Sequence, residues 1–452
     1  MSRYASTSTL LCAASVLAGA FVPLGGALAA TRVVTNCNDS GAGSLRNAVG
    51  SALSGDTIDL RSLSCTRIIL TSGEIAIPQN NLTVLGRSRD ALAIDGRQAF
   101  RVFGHTGTGT LRIQHVTVAW GYRHATIDFD RGGCIKSNGN VELHRSRVHH
   151  CTMAADGWLD SPPTAGGGIS ALGDVVLSYS AVFDNTATTD AVGGGIHADG
   201  QVTLYYSQVF NNRAFWGGGV RAGLGANVTY STIRDNIAGN SGGGLYLEQG
   251  DLLVNKSTIS NNRLYQESPR SIWPRGGGIF ADGTGQRTII DSTLSGNHAA
   301  RGTAAYVMGD AEIYNSTIAF NVAIWDDEPL TPPCEERGAL RANALTLEST
   351  IVANNPCING VSYDVGTDTS AIIGSDNLIF RSGIPVPADT ISADPRLAPL
   401  AANGGPTRTH MPLSDSPAIN RGGNVLNRTY DQRGPGFPRV KGAFPDIGAV
   451  ER

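Results

Sequence analysis

The stretch STIRDNIAGNSGGGLYL, residues 231–247, combines two short motifs that recur along the chain. The first motif is Ser-x-aliphatic-x-x-Asn and the second is Gly-Gly-Gly-aliphatic. Copies of the first motif begin at Ser180, Ser207, Ser231, Ser257, Ser292, Ser316 and Ser349, with a degenerate copy at Ser146. Glycine triplets begin at Gly166, Gly193, Gly217, Gly242 and Gly276. Two motifs that alternate at intervals of 24 to 35 residues indicate a repeat protein.

The segments between these motifs have the alternating pattern of short β-strands. GDVVLSYSAVFDN, residues 173–185, and QVTLYYSQVFNN, residues 201–212, carry apolar residues in runs that are too brief for helices. Each repeat supplies two or three strands rather than the four strands of a propeller blade. Equivalent strands of successive repeats can pair in parallel about 4.8 Å apart, with their aliphatic residues stacked. The sequence therefore predicts an all-β fold, a right-handed parallel β-helix (solenoid).

The motif residues are expected to have structural roles at the corners of each coil. Asparagine tolerates left-handed backbone angles and can pass amide hydrogen bonds to the next coil. We therefore expect an asparagine ladder of Asn185, Asn212, Asn236, Asn262, Asn297, Asn321 and Asn354. The glycine triplets indicate a corner where backbones approach too closely for a Cβ, or where positive φ is needed. Functional residues are accordingly sought outside the repeat.

Both ends of the repeat region are predicted to be capped, because an open solenoid exposes pairing edges. A short amphipathic helix is predicted near the N-terminus, with Ser44 as its N-cap and Gly55 as its stop. Its apolar positions are Leu45, Ala48, Val49, Ala52 and Leu53. From about residue 384 the composition shifts to Pro, Gly and Asp. We expect an N-terminal cap over 31–66, repeats over 67–383 and an irregular C-terminal domain over 384–452.

Residues 1–30 have the pattern of a cleaved secretory signal peptide. Arg3 precedes an apolar run from Leu10 to Val22, and small residues lead to a cleavage site near Ala29 or Ala30. Export would leave six cysteines in a compartment that permits disulfides. We expect the sequential pairs Cys37–Cys65, Cys134–Cys151 and Cys334–Cys357, one of the 15 connectivities that six cysteines allow.

Composition excludes two classes of partner. The chain has 35 basic and 38 acidic residues, and loss of Arg3 with the signal leaves 34 against 38, a net charge of −4. With no basic stripe, a nucleic-acid partner is not expected. No segment after the signal has 18 consecutive apolar residues, so no transmembrane helix is expected. We expect a monomer without a cofactor, secreted or associated with the bacterial outer surface or periplasm.

Two parts of the chain resemble a known group of exported bacterial proteins. The tail motifs DPRLAPLAANGGPTRTHMPLSDSPAINRGG and FPDIGAVER are similar to the choice-of-anchor Q domain. The head motif DSGAGSLRNAV and the Asn-x-Ala…Gly-Gly-Gly-Ile rungs resemble β-helical proteins with polymorphic-outer-membrane-type repeats and a pectin-lyase-like fold. The resemblance covers about residues 33–452. It implies architecture and export, but no particular chemistry.

Long insertions are predicted to enter at one corner of the solenoid. They are CTMAADGWLDSPPTA, RLYQESPRSIWPR and VAIWDDEPLTPPCEER, and Trp120, Trp158, Trp216, Trp273 and Trp325 lie in them or near this corner. Aromatic rings beside carboxylates suit a sugar, which needs an apolar face and hydrogen-bond acceptors. The candidate binding residues are Trp158, Asp160, Trp216, Trp273, Trp325 and Glu328. The alternative is that the tryptophans only pack the loops together.

The leading functional prediction is an adhesin-like β-helix protein that binds a glycan or a cell-surface partner through these loops. The alternative is a polysaccharide lyase or glycoside hydrolase. Asp326 and Asp327 are weak catalytic candidates, since a carboxylate pair must be judged by its separation in space. Arg439-Val440-Lys441 resembles the Arg-x-Lys of polygalacturonases but falls in the C-terminal domain. Histidines concentrate between residues 105 and 150, yet without the spacing of a zinc site, so no metal is expected.

Overall fold

The computed structural model describes residues 29–125, 130–155, 164–188, 190–265, 274–323, 338–357, 363–366 and 369–452. Within these ranges the chain forms a parallel β-solenoid whose coils contribute strands to four sheets. Every strand pair in them is parallel. The prediction of an all-β solenoid is confirmed.

The four sheets are named by their number of strands; the 13- and 12-stranded sheets span residues 31–373 and 67–379, whereas the 10- and 8-stranded sheets span 75–341 and 122–323. The strands of the 13-stranded sheet are Thr31–Val33, Thr57–Asp59, Leu82–Leu85, Thr110–Gln114, Asn140–His144, Val175–Ser178, Gln201–Tyr205, Gly225–Thr229, Asp251–Asn255, Arg287–Ile290, Ala311–Tyr314, Ala344–Glu348 and Ala371–Ile373. Those of the 12-stranded sheet are Arg67–Ile69, Ala93–Asp95, Thr117–Ala119, Arg147–His149, Ala181–Phe183, Gln208–Phe210, Thr232–Arg234, Thr258–Ser260, Thr293–Ser295, Thr317–Ala319, Ile351–Ala353 and Leu378–Ile379.

The two remaining sheets complete each coil. The strands of the 8-stranded sheet are Tyr122–Ala125, Thr152–Ala155, Thr186–Ala187, Arg213–Trp216, Ile237–Ser241, Arg263–Leu264, His298–Ala299 and Val322–Ala323. Those of the 10-stranded sheet are Ile75–Ile77, Phe103–His105, Ile135–Ser137, Ile169–Ala171, Ile196–Ala198, Val220–Ala222, Leu245–Leu247, Ile279–Ala281, Ala305–Val307 and Leu340–Arg341. A coil therefore passes through the 13-, 12-, 8- and 10-stranded sheets in turn.

The N-terminal end is covered by the one helix in the described ranges, Leu45–Gly50. The Ser44 side chain accepts a hydrogen bond from the Asn47 backbone N–H, as predicted for the N-cap, and Leu45 and Val49 are buried in the core. The helix ends at Gly50, before the predicted stop at Gly55, and Leu53 is 56% exposed. Ala52 is buried as predicted although it follows the helix, so Leu53 is the one predicted apolar position that is exposed.

The core is a stack of aliphatic side chains from the inward positions of each strand. Along the 13-stranded sheet, for example, Val175 pairs with Val202 and Leu177 with Leu204, and all four are buried. The alternation of a strand points their neighbours outward. Burial of one such side chain contributes roughly 1.5–3 kcal/mol.

The serine of each first motif is buried at the corner between the 13- and 12-stranded sheets. From Ser180 to Ser316, each serine hydroxyl accepts a hydrogen bond from the backbone N–H of the serine one coil earlier, as between Ser207 and Ser231 at 3.0 Å. The same hydroxyl donates to a backbone carbonyl, that of Thr229 in this case. The hydroxyls thereby satisfy backbone groups that would otherwise be buried without partners.

The asparagine ladder is present at the corner between the 12- and 8-stranded sheets. Each Nδ2 donates to the Oδ1 of the next asparagine, as from Asn212 to Asn236 at 3.0 Å and from Asn236 to Asn262 at 2.9 Å. Each Oδ1 also accepts from the preceding asparagine's backbone N–H. The ladder ends on a carboxylate, because Asn355 Nδ2 donates to Asp364 Oδ1 at 2.8 Å.

Two details of the predicted ladder are wrong. Its last asparagine is Asn355, not Asn354, because Thr350 takes the serine place in that coil and shifts the register by one residue. The left-handed residue is also not the ladder asparagine itself but the residue before it, as at Asp235 before Asn236. The ladder asparagine is selected for its amide, while its neighbour makes the turn.

Both of the reasons expected for glycine, a positive φ and a close approach of backbones, apply to the glycine triplets. In the triplet Gly217–Gly219 the first residue has φ of +63°. A Cβ on Gly218 would meet the backbone carbonyl groups of Ile237 and Gly243 in the adjacent coil. The first glycine therefore makes the turn, and the second allows the coils to approach.

The C-terminal segment, residues 384–452, packs along the outer face of the 12-stranded sheet. His410 Nε2 lies 2.8 Å from Ser295 Oγ, and the Ala449 N–H donates to Thr317 Oγ1. Gln432 is buried against Thr293, whose hydroxyl donates to it at 2.6 Å. The segment covers the coils from Thr258 onward, so it acts as a lateral cover rather than an end cap alone.

A buried charge cluster fixes the edge of this cover. Lys256 Nζ donates to Asp291 Oδ2 at 2.9 Å and to the carbonyl oxygens of Tyr430 and Asp431 at 2.6 and 2.5 Å. Arg428 Nε also donates to Asp291 Oδ2. Burial lowers the pKa of Lys256, although Asp291 opposes the shift. The paired charges hold the tail to the solenoid at this point.

Two of the three predicted disulfides are present. Cys37–Cys65 has a Cα–Cα distance of 6.4 Å, and Cys134–Cys151 has one of 5.4 Å. The second bond joins neighbouring coils, as expected. Cys334 lies outside the described residues, so the third pair stays a prediction.

The signal peptide also stays a prediction, since residues 1–28 lie outside the described ranges. In those ranges no helix is long and apolar enough to span a membrane.

Candidate functional site

The candidate site is the outer face of the 10-stranded sheet, named here the central face. The middle residue of each strand points outward because the first and third residues fill the core. In register along the sheet, these middle residues are Lys136, Ser170, His197, Arg221, Tyr246, Phe280 and Tyr306. The face therefore passes from charged to aromatic along the solenoid axis.

Insertions border the central face. The chain leaves the 8-stranded sheet after Ala155, Tyr265 and Ala323, and returns just before strands of the 10-stranded sheet. The described flanks of these three insertions thus lie at the same corner in different coils. This is the placement that the repeat spacing predicts.

The charged half of the central face is organised around Arg221. Its Nη1 donates to Asp199 Oδ1 at 3.1 Å, and its Nη2 donates to Glu248 Oε2. Arg131 Nη1 donates to the other Asp199 oxygen at 2.9 Å. The carboxylate side chains are 38% exposed at Asp199 and 46% exposed at Glu248, so both remain accessible to a ligand.

Ser170, His197 and Asp199 have the residue types of a hydrolase triad but not its hydrogen bonding. Ser170 Oγ lies 3.2 Å from His197 Nδ1, and Asp199 Oδ1 lies 3.4 Å from His197 Nε2. However, Arg221 Nη1 lies 3.1 Å from the same Nε2. Because a guanidinium can only donate, Nε2 must accept and Nδ1 carries the proton that faces Ser170. His197 is therefore not placed to deprotonate Ser170.

Burial holds the pKa of His197 well below its usual range, and Arg221 and Arg131 add to the shift. A neutral imidazole between a hydroxyl and a guanidinium is a structural link between coils. The role of His197 is to position Arg221.

A second network lies at the N-terminal end of the central face. Arg101 is 4% exposed and donates to the Gly132 carbonyl at 2.8 Å, to Glu74 at 2.7 Å and to Asp130. Burial raises the pKa of Asp130, but the charges of Arg101 and Arg123 outweigh it and hold the pKa below its usual value. These bonds fix the edge of the face.

The aromatic half of the central face is packed rather than open. Tyr246 stacks on Phe280 with ring centroids 5.1 Å apart, and Phe280 stacks on Tyr306 at 5.6 Å. Arg275 and Arg341 lie over the Tyr306 ring at 5.2 and 4.7 Å. Because the ring faces contact one another, they stabilise the sheet instead of offering a platform.

Of the predicted binding residues, Trp216 is the one that lies in the described ranges. It ends the strand Arg213–Trp216, is half-buried and contacts Phe215 edge-on, with centroids 4.4 Å apart. The other predicted residues, namely Trp158, Asp160, Trp273, Trp325, Glu328 and the catalytic candidates Asp326 and Asp327, lie outside the described residues. Their assignment stays a prediction.

Trp120 does not lie at the insertion corner, where the sequence analysis placed it. It occupies the preceding corner, between the 12- and 8-stranded sheets, with φ of +54°. Its ring is 4.2 Å from that of His150. The prediction was wrong because the insertion there follows one strand later, after Ala125.

The histidines and the Arg-x-Lys motif of the tail make contacts that hold the fold together. His115 and His144 contact each other edge-on at 5.5 Å, and in the described ranges no group of three His, Cys, Asp or Glu side chains has the geometry of a metal site. Arg439 is fully buried and donates to the carbonyl groups of Gly448 and Asp446. It therefore holds a turn of the tail together.

Sequence reasoning missed a groove of about 660 Å³ on the outer side of the asparagine corner. Its lining includes Asn211, Arg213, Asp235, Arg263 and His298. Burial lowers the pKa of His298, and the Arg263 charge adds to the shift. The residue before each ladder asparagine was the available sign of this groove, since it is polar in several copies.

The comparisons with known proteins concern the fold. Residues 102–318 match the family model described as "Right handed beta helix region", so the fold class is a right-handed parallel β-helix. A crystal structure of pectate lyase Pel9A is similar, with 13% identity, a TM-score of 0.48, and coverage of 94% of this chain and 96% of that chain. No curated protein sequence matches the chain. At this level of similarity no activity transfers to this chain.

Proposed function

We propose that this chain is an exported, adhesin-like β-helix protein that binds a glycan on the central face and its bordering loops. The observation that carries the proposal is the cluster of Asp199, Arg221 and Glu248, in which both carboxylates are partly exposed and held by one guanidinium. Trp216 is half-buried at the end of the strand Arg213–Trp216, which comes just before the strand of Arg221 along the chain.

This arrangement has the chemistry that a sugar requires. Carboxylate oxygens accept hydrogen bonds from sugar hydroxyls, and guanidinium N–H groups donate to hydroxyl or carboxylate oxygens. An aromatic side chain can supply the apolar contact for a pyranose face. Because Arg221 links neighbouring coils through His197 and Glu248, these groups are held before a ligand arrives.

Binding to a glycan array tests the proposal. We expect the purified protein to bind a subset of glycans, and both Glu248→Gln and Trp216→Ala to weaken binding by roughly tenfold, the effect of about 1.4 kcal/mol. Arg112→Gln is the matched control, because Arg112 pairs with Glu142 on a different sheet. Binding that is unchanged in both variants would contradict the central face as the site.

Export is the second element of the proposal. It is supported by the two disulfides, which favour an oxidising compartment. N-terminal sequencing of protein recovered from a secreting bacterial host should find a chain that begins at Ala30 or Thr31. Recovery of chains that begin at Met1 from the cytoplasm alone would contradict export.

A polysaccharide lyase or glycoside hydrolase is the second candidate function, and Arg221 is the observation that favours it. Burial lowers the pKa of Arg221, while Asp199 opposes the shift. Because Arg221 is paired with Asp199 and Glu248, its guanidinium stays protonated and can bind a substrate oxygen, while the two partly exposed carboxylates are the groups that can act as acid or base. Incubation with polysaccharides, followed by detection of unsaturated uronates and reducing ends, should give product for an enzyme and none for a binding protein.

A further inference from the structure

A column of stacked rings runs along the outer edge of the 12-stranded sheet. Phe183 stacks on Phe210 with centroids 4.7 Å apart and an interplanar angle of 1°, and His149 stacks on Phe183 at 4.8 Å. At the N-terminal end, Trp120 lies against His150 at 4.2 Å and touches His149 edge-on. Phe210 is covered in turn by the Arg234 guanidinium of the next coil, so Trp120 is the ring at the N-terminal end of the column.

The opposite face of Trp120 opens into a pocket of about 380 Å³. The other lining residues are Arg67, Ile69, Asp95, Arg97 and Gln98, all from the two preceding coils, whereas His150 belongs to the following coil. The position in register with Trp120 in the preceding coil follows Asp95 and is Gly96. A Cβ on Gly96 would meet the backbone of Phe100, Trp120 and Gly121. Gly96 therefore allows the backbones to approach closely and supplies no ring to the column, and the following residues Arg97 and Gln98 line the pocket.

Polar groups surround this uncovered ring face. Asp95 is 4% exposed, accepts a hydrogen bond from the Arg97 N–H at 2.7 Å, and pairs with Arg67 at 2.9 Å. The side chains of Arg97 and Gln98 are exposed at the pocket rim. Buried Asp95 thus holds the Arg67 guanidinium and the Arg97 backbone, and both arginine side chains can donate to a ligand held on Trp120.

The backbone around the pocket is strained. Arg97, Gln98 and Trp120 have φ of +59°, +55° and +54°, and none of them is a residue that favours the left-handed region. The Gln98 N–H donates to the Trp120 carbonyl at 2.6 Å, which joins the two strained corners. The left-handed angle of Trp120 recurs at the same corner in later coils, as at His150 and Asp235, so it belongs to the coil, whereas those of Arg97 and Gln98 belong to the loop that lines the pocket.

We infer that this pocket binds one sugar ring of a saccharide, stacked on Trp120, with an acidic sugar favoured over a neutral one. The apolar face of a pyranose continues the ring column by one coil, and its hydroxyl or carboxylate groups meet Arg67, Arg97 and Gln98 at the edge. This assignment does not depend on glycan binding at the central face, because the pocket lies on a different sheet.

Titration with methyl glucuronide, methyl glucoside and benzoate, followed by calorimetry, tests the assignment on the full chain. We expect methyl glucuronide to bind more tightly than methyl glucoside. Trp120→Ala should weaken binding by roughly tenfold, and Trp120→Phe should restore most of it, since aromatic stacking is worth about that factor. Arg112→Gln, on the 13-stranded sheet, should leave this binding unchanged. No saccharide binding, or tighter binding of benzoate than of either glycoside, would overturn the assignment.

Gln98→Gly separates a binding role from a structural one. Glycine relieves the left-handed backbone, so the melting temperature should rise or stay equal, whereas affinity for methyl glucuronide should fall severalfold because the side chain is lost. Unchanged affinity in both Gln98→Gly and Arg97→Gly would overturn the proposed polar edge. If the central face fails to bind glycans while this pocket binds methyl glucuronide, the assignment of the pocket holds and only the proposed function of the central face is contradicted.

Discussion

The two halves of the outer face of the 12-stranded sheet share one backbone but carry different side chains. The last residues of successive strands in the N-terminal half are His149, Phe183, Phe210 and Arg234, whereas those in the C-terminal half are Ser260, Ser295, Ala319 and Ala353. The small residues are buried beneath the C-terminal segment, and the large ones are only partly buried. In these eight coils the small outward residues lie beneath the C-terminal segment, and the large ones lie where the segment does not reach.

The largest expected difference between the halves concerns a buried charge. Asp291→Asn should lower the free energy of unfolding by about 3–5 kcal/mol, because Lys256 and Arg428 would lose their buried counter-charge. Asp235→Asn is the control, since Asp235 is also left-handed but pairs with Arg234 in the open half. It should cost less than about 1 kcal/mol. Equal losses in urea unfolding would mean that the cover does not depend on this cluster.

A substitution inside the coil should affect both halves alike. Asn236→Ala in the open half and Asn297→Ala in the covered half should each destabilise by about 3 kcal/mol. Each change removes an acceptor from two buried N–H groups of the preceding asparagine. Calorimetric melting of the two variants gives the comparison. A clearly smaller effect in one half would show that the ladder is not uniform.

Exchanging a small outward residue for a large one, or the reverse, should destabilise each half for a different reason. Ser295→Phe should cost about 1–3 kcal/mol and expose the C-terminal segment to limited proteolysis, because the ring has no room against His410. Phe210→Ser should cost about 1 kcal/mol, the contribution of a stacked aromatic pair. Resistance of Ser295→Phe to proteolysis would contradict the tight cover.

The smallest expected effect is on the pH dependence of the open half. Burial lowers the pKa of His149 to about 4, and His150 adds to the shift. The unfolded chain takes up this proton near pH 6.5, so protonation favours unfolding and stability falls as the pH drops from about 6.5 to about 4. His149→Phe keeps the stack on Phe183 and should reduce that loss. Identical pH profiles of melting temperature would exclude His149 as a contributor.

The coil architecture was predictable, because it depends on local patterns that repeat. Asn236 and Ser231 are recognisable from spacing alone, and their hydrogen bonds follow from parallel stacking. The last coil was misassigned because adjacent Asn354 and Asn355 both fit the motif, and only the hydrogen bond from Asn321 to Asn355 distinguishes them.

The features tied to the candidate sites were harder to predict because they depend on contacts between distant residues. Arg221 has no motif of its own, and its partner Glu248 comes from the next coil. The lateral position of the tail likewise depends on pairs such as Lys256 with Tyr430, which are separated by 174 residues. Repeat spacing carries no information about such pairs.

The asparagine ladder has a direction, and this bears on how such a molecule can change in length. From Asn185 to Asn355 each amide donates toward the C-terminal end, and Asp364, which only accepts while it is ionised, terminates the series. If a coil that carries its own Ser and Asn were added or deleted, Asp364 would keep the same partners. The helix Leu45–Gly50 at the other end would keep its partners as well. The solenoid can therefore grow or shrink by duplication or loss of whole coils within the open half, while its ends and its tail stay the same.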